Sequence, residues 1–321
     1  MWGKSLKYIL LFLGLTCYAH GYAGTQDTIV VARDGSGKFR TIQEAVESIR
    51  AFMDYTVVVY IKKGVYKEKV VVPAWLKNVV LVGEDVEKTI LTYDDHANIN
   101  KMGTFRTYTL KIEGDNITVK DLTIENNAPQ LGQAVALHTE GDKLLFIGCR
   151  FLGNQDTIYT GREWARLCFS HCYIEGTTDY IFGSSTALFD YCQIHSKRDS
   201  YITAASTPKE VVYGYVFRNC KLTAAEEVRK VYLGRPWRPY GATVFMFCEM
   251  GKQIVPAGWH NWKNPENEKT ARYAEFRNTG EGSGTDGRVS WSRQLTTKEA
   301  NEISVENMFA QEDTNTWYPF K

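Results

Sequence analysis

The chain has 321 residues, 44% of them hydrophobic, and its 38 Lys and Arg nearly balance 37 Asp and Glu. That evenness leaves no basic surplus to draw nucleic acid, and no apolar segment after the N-terminal one is long enough to anchor the chain in a membrane. The six histidines are scattered and no Cys/His grouping has zinc-ligand spacing, so no metal site is expected.

Residues 1–24 carry the pattern of a secretory signal. Lys4 and Lys7 precede the apolar run "YILLFLGL", and small residues follow at Ala19, Gly21 and Ala23. A secreted protein is expected, extracellular or periplasmic if bacterial, with one domain over residues 25–321. Gly35-Ser36-Gly37 then marks a turn. Thr41 is placed to cap a short helix whose apolar face holds Ile42, Ala45, Val46 and Ile49. "YTVVVYIKKGVYKEKVVV" reads as a strand pair with Gly64 at the turn, and "NVVLVGE", "LKIEGDNITVKDLTIENN" and "AVALHTEGDKLLFIG" read as further strands.

A repeat follows. The pattern Phe-x-x-Cys-x-apolar recurs at Phe146-Cys149-Phe151, Phe169-Cys172-Ile174, Phe189-Cys192-Ile194, Phe217-Cys220-Leu222 and Phe245-Cys248-Met250. Self-similarity at this period marks a solenoid, and each unit alternates apolar and polar residues like a strand, without a helical period. The fold class is therefore all-β: a right-handed parallel β-helix, with the Thr41 helix capping its N-terminal end. Five cysteines occupy the repeat position and read as a buried ladder of free thiols in preference to disulfides, because stacked parallel side chains do not meet disulfide geometry. Cys168 is off that phase. After Cys248 the rhythm fades, and residues 251–321 read as strands, loops and a terminal helix ("TTKEANEISVENMF") folded back along the coil.

Gln133, Asp156 and Asp179 lie 23 positions apart, twice over, and the two aspartates each lie seven residues after a repeat cysteine. In a coil, equal phase means stacking at about 4.8 Å. Carboxylates so close cannot both ionise cheaply, so one pKa should rise and the other stay low, which yields an acid and a nucleophile from one residue type. The same spacing also suits an Asn/Asp ladder that merely closes turns. Context favours chemistry: Gln155 and Gln133 offer neutral donors for an oxyanion, and Arg235 is suited to pair with Asp179.

With these residues in view, the chain resembles the pectin methylesterases, carbohydrate esterases built on a right-handed parallel β-helix. The matching segments are "GVYKEKV" (64–70), "TF" (104–105), "QAVAL" (133–137), "GNQDTIY" (153–159), "DYIFG" (179–183), "ITA" (202–204), "YLGRPW" (232–237) and "PAGWHNW" (256–262), in family order across nearly the whole mature region. The resemblance implies Asp179 as nucleophile, Asp156 as acid and then base, Gln133 and Gln155 as oxyanion site, and Arg235 as partner of Asp179. It implies Phe105, Tyr159, Phe182, Trp237 and Trp259 as the aromatic cleft for the sugar chain. It further implies pectin as the partner, a monomer, and no metal or organic cofactor. Gly103, Ala205 and Ser184 depart from residues frequent in the family. An acyl-thioester hydrolase using the same five residues and a non-catalytic polysaccharide-binding coil remain the alternatives.

Overall fold

The structure is a computed structural model that describes residues 27–310 and 316–320; the expected signal, 1–24, lies outside the described residues. Its strands form three sheets of eleven, eight and seven strands, here called long, back and front, and the chain visits them in that order once per turn. One turn runs Val79–Gly83, Thr89–Tyr93 and Leu110–Ile112. Neighbouring turns pair in parallel throughout, as a parallel β-helix requires.

The phenylalanine of the repeat sets the register. Phe146, Phe169, Phe189, Phe217 and Phe245 are Cα partners in successive strands of the long sheet although their spacing in sequence varies. Their rings stack inside the coil at 4.5, 4.7, 4.4 and 4.3 Å between centroids. All five are wholly buried.

The chain leaves the long sheet through a single residue in the left-handed region, directly before each repeat cysteine. These are Gly148 (φ 61°), His171 (54°), Tyr191 (53°), Asn219 (55°) and Phe247 (56°). The conformation disfavours L residues by roughly 1–2 kcal/mol each, so the packing on either side must impose it. The cysteines then do more than fill space. Cys172, Cys192, Cys220 and Cys248 each donate Sγ–H to the carbonyl of the phenylalanine one turn earlier, at 3.6, 3.4, 3.3 and 3.4 Å. All five ladder cysteines are buried and unpaired as disulfides, and so is Cys168. On the next turn Asn278 takes the cysteine position, and its amide donates to the carbonyl of Phe245 at 3.1 Å. There Glu275 replaces the phenylalanine, in register with Phe245. It is 1% exposed and paired with Arg288 at 2.7 Å.

Three sequence expectations need correction or detail. Residues 57–72 are not a strand pair. Val57–Ile61, Gly64–Lys67 and Val70–Val72 lie in three different sheets, and each pairs with the next turn. The capping helix is Ile42–Glu47, its Thr41 side chain accepting from the Glu44 N–H, with Ile42, Ala45 and Val46 buried against the first strands. The terminal helix is two, Thr297–Glu302 and Val305–Phe309. Ile303 leaves helical geometry and Ser304 caps the second by accepting from Asn307. These helices cover the outer face of the long sheet, where Ala300, Met308 and Phe309 pack on Cys168, Leu188, Val216 and Met246. No helix among the described residues is long and apolar enough to cross a membrane.

Candidate active site

The front sheet positions the two aspartates. Ile158–Thr160 pairs with Ile181–Gly183, Ile158 opposite Ile181. Two residues upstream the ladder continues: the Asp156 N–H reaches Thr178 O at 3.1 Å and the Asp179 N–H reaches Tyr201 O at 2.9 Å. Asp156 and Asp179 therefore occupy the same phase of adjacent turns. Both have positive φ, 68° and 48°, a conformation that Asp tolerates better than most side chains.

Gln133 joins them by a different route from the one its spacing suggests. Leu137 pairs with Ile158, so the register below Asp156 does not follow the 23-residue interval. The Ala134 N–H donates to Gln155 O at 3.1 Å, which sets Gln133 beside Gln155. The equal interval was a coincidence of turn lengths, yet the amide still reaches the site. Gln133, Gln155, Asp156, Asp179 and Arg235 line one cleft of about 200 Å³ together with Phe105, Phe182, Trp237 and Trp262.

Arg235 grips Asp179 with two parallel bonds, Nε to Oδ1 at 3.0 Å and Nη2 to Oδ2 at 2.6 Å. Its guanidinium is held between two rings, 3.9 Å from the centre of Tyr201 and 3.7 Å from that of Trp262. Such a sandwich fixes the plane of the fork as well as its charge. Directly before Arg235, Gly234 lets its turn pack closely on the one below: a Cβ there would stand 2.0 Å from Thr203 Oγ1.

Burial, then the charge of Asp179, pushes the Asp156 carboxyl well above the usual carboxylate range, against the opposing charge of Arg235 and a hydrogen bond from Gln155. Burial raises Asp179 too, so it does not stay low as the sequence suggested, but the bonds and charge of Arg235 oppose the rise. Burial thus favours the protonated form of both carboxyls, and only Asp179 has a guanidinium bonded to it that favours its ionised form. A proton donor and a fixed carboxylate, with two amides beside them, can carry out acyl transfer through an acyl-carboxylate intermediate.

The aromatic residues form a row along the front sheet. Tyr159 lies 4.8 Å from Phe105 on one side and 4.8 Å from Phe182 on the other, and Phe182 meets Trp237 edge-on at 5.7 Å. Phe105 is 45% exposed and opens the row to solvent. Trp259 does not belong to it. It is 1% exposed, stacked on Tyr273 at 4.4 Å inside the coil, with its indole N–H donated to Glu275. Trp262 takes the cleft position instead. Nothing in the spacing of "PAGWHNW" distinguishes the two tryptophans, and Tyr201, the other ring on Arg235, was also outside the sequence reading. Of the departures, Ala205 is buried within the coil and Ala204 faces the cleft. Among the described residues no three His, Cys, Asp or Glu side chains gather as a metal site.

Comparison with known proteins adds context. The Pectinesterase family model matches residues 28–313. Pectinesterase 31 of Arabidopsis thaliana is 36% identical over 306 residues, covering 91% of this chain and 95% of that protein. Pectinesterase 2 of Citrus sinensis is 37% identical over 306 residues, 91% of this chain but 58% of that longer protein. Among solved structures, the pectin methylesterase from carrot superposes with a TM-score of 0.83 at 31% identity, covering 90% of this chain and 94% of its own. A pectin methylesterase in complex with a hexasaccharide superposes with a TM-score of 0.78 at 27% identity, over 92% of this chain and 100% of its own.

Proposed function

The chain belongs to the pectinesterase family, and on that premise we propose that it hydrolyses methyl esters of galacturonate units in pectin, releasing methanol and demethylated pectin. Asp179, ionised against Arg235, attacks the ester carbonyl. The oxyanion that forms rests on the amide donors of Gln133 and Gln155, which contribute most where charge develops in the transition state. Asp156 gives its proton to the departing methoxide, so methanol leaves and a galacturonyl–Asp179 anhydride remains. Asp156, now ionised, takes a proton from water as the water attacks that anhydride. The acid is released, and Asp179 and protonated Asp156 are restored. The row Phe105, Tyr159, Phe182 and Trp237 supports the sugar chain, with Trp262 in the place first assigned to Trp259.

The observation that carries this reading is the two-pronged Arg235–Asp179 pair one turn from a more weakly acidic carboxyl. A ladder of aspartates that only closed turns would need neither the arginine nor its two rings. The segment 1–24 is the signal for secretion in this reading, and the mature enzyme acts as a monomer. Methanol release from esterified pectin tests it, beside an acyl-thioester control. Asp179→Ala is expected to abolish methanol release and keep the native circular dichroism spectrum. Substantial release by that variant, or thioester cleavage without methanol, refutes the assignment.

A further inference from the structure

His260 stands behind the Arg235 sandwich and has no part in the mechanism above. Its N–H donates to Gly234 O at 3.1 Å, which fixes its loop as an extra rung beside the strand Tyr232–Gly234. The half-buried ring lies 5.3 Å from Tyr201 and 5.5 Å from Tyr232. Nδ1 accepts the backbone N–H of Trp262 at 3.0 Å. His260 therefore touches one wall of the sandwich and tethers the other. Tyr201 and Trp262 are the two rings that hold the guanidinium.

We propose that His260 is a positioning residue and proton-sensitive latch for Arg235: neutral, its Nδ1 holds Trp262 over the guanidinium, and protonated, it lets Trp262 go. This rests on the assignment of Arg235 and Asp179 above. A proton taken from solvent onto Nδ1 removes the acceptor and sets one N–H against another. It also adds a cation beside Arg235. The ionisable and charged groups facing the ring are Arg235 and Lys263, which are basic, and the phenols of Tyr201 and Tyr232. Burial, then the charges of Arg235 and Lys263, holds the imidazole below its ordinary 6.5, so the neutral form prevails near neutrality. The latch opens only as pH falls below that range, and opening loosens the arginine that keeps Asp179 ionised.

The test is the pH profile of methanol release from esterified pectin between pH 4 and pH 9. His260→Asn keeps a short acceptor for an N–H two residues on but cannot take up the proton. His260→Phe keeps the ring and lacks the acceptor. The acid limb is expected to move to lower pH in His260→Asn. In His260→Phe, kcat should fall about tenfold at pH 8 with KM changed less, as for a positioning fault. In the wild type, the imidazole resonance assigned through its loss in His260→Asn should titrate within the acid limb. An unmoved acid limb in an active His260→Asn enzyme overturns the latch, as does wild-type kcat in His260→Phe or a resonance that titrates outside the limb. Absence of methanol release from the wild type at every pH would instead overturn the esterase reading, so the two failures are distinct.

Discussion

Arg235→Met removes the charge and both donors from Asp179 while leaving an apolar side chain of similar reach between Tyr201 and Trp262. The ion pair is well shielded, with side chains 18% and 8% exposed. Removing one partner of a buried pair costs about 3–5 kcal/mol. If the lower figure falls on the ionisation of Asp179, about 3 kcal/mol is a factor of about 100 in its charged fraction at a pH where ionisation limits the rate. The sign follows from the proposed roles: as the nucleophile Asp179 would have to be ionised, burial opposes that ionisation, and Arg235 counters the burial. The variant should therefore need a higher pH to work. The assay is kcat/KM for methanol release at half-unit steps from pH 5 to pH 10. A deficit of about 100-fold at acid pH should shrink as pH rises, the acid limb having moved upward. A constant deficit with the limb in place would show that Arg235 does not hold Asp179 ionised.

Asp156 binds its proton more tightly in the fold than in the unfolded chain, so its stabilising contribution is complete below the unfolded value of 3.8 and is lost as pH rises through the elevated folded value. Asp156→Asn should accordingly raise Tm by a few degrees at pH 8, leave it nearly unchanged at pH 4, and remove most methanol release; a lower Tm at pH 8 would contradict the assigned burial. Gln133→Ala and Gln155→Ala should each lower kcat on the order of 100-fold with KM little changed, and a rise in KM alone would make that residue a binding contact. The ladder cysteines should resist thiol reagents, followed by mass, until denaturant is added. Cys192→Ala should cost about 1 kcal/mol in urea unfolding while methanol release persists, and rapid native labelling would put the ladder on the surface.

The coil was legible because the same residue types return at each turn. Phe169 and Phe189 announce a shared environment, and the structure stacks them in register although their turn is shorter than the one before it. Asp156 and Asp179 share that alignment, and the repeat predicts their place on adjacent turns. Gln133 lines the same cleft, but not for the reason its spacing gives, since equal spacing in sequence means equal phase only when the intervening turns have equal length. The sequence showed less where local pattern carries no direction. Gly64 after two lysines looks like a hairpin turn, but in a coil it begins the next face. Trp259 and Trp262 have the same composition around them, and which one turns inward is decided by Glu275 and Tyr273, which lie on a different strand. Asn278 was missed because it does the work of a cysteine with another side chain.

The stacked phenylalanines share something with a very different state of proteins. In-register parallel strands that repeat identical aromatic side chains are also the arrangement by which separate chains assemble into amyloid. Here the stack lies within one chain, and the edges open to another molecule are the two ends of the coil. At one end the helix Ile42–Glu47 lies over the first strands. At the other, the rung after Phe245 presents Glu275 joined to Arg288 where another phenylalanine would continue the series, and the last paired strand, Arg293–Gln294, is two residues long and exposed. The charged pair ends the series of phenylalanines, and the short polar edge leaves an incoming chain little backbone to pair with. Glu275→Phe would extend the ladder by one ring and leave the Arg288 charge buried without its carboxylate.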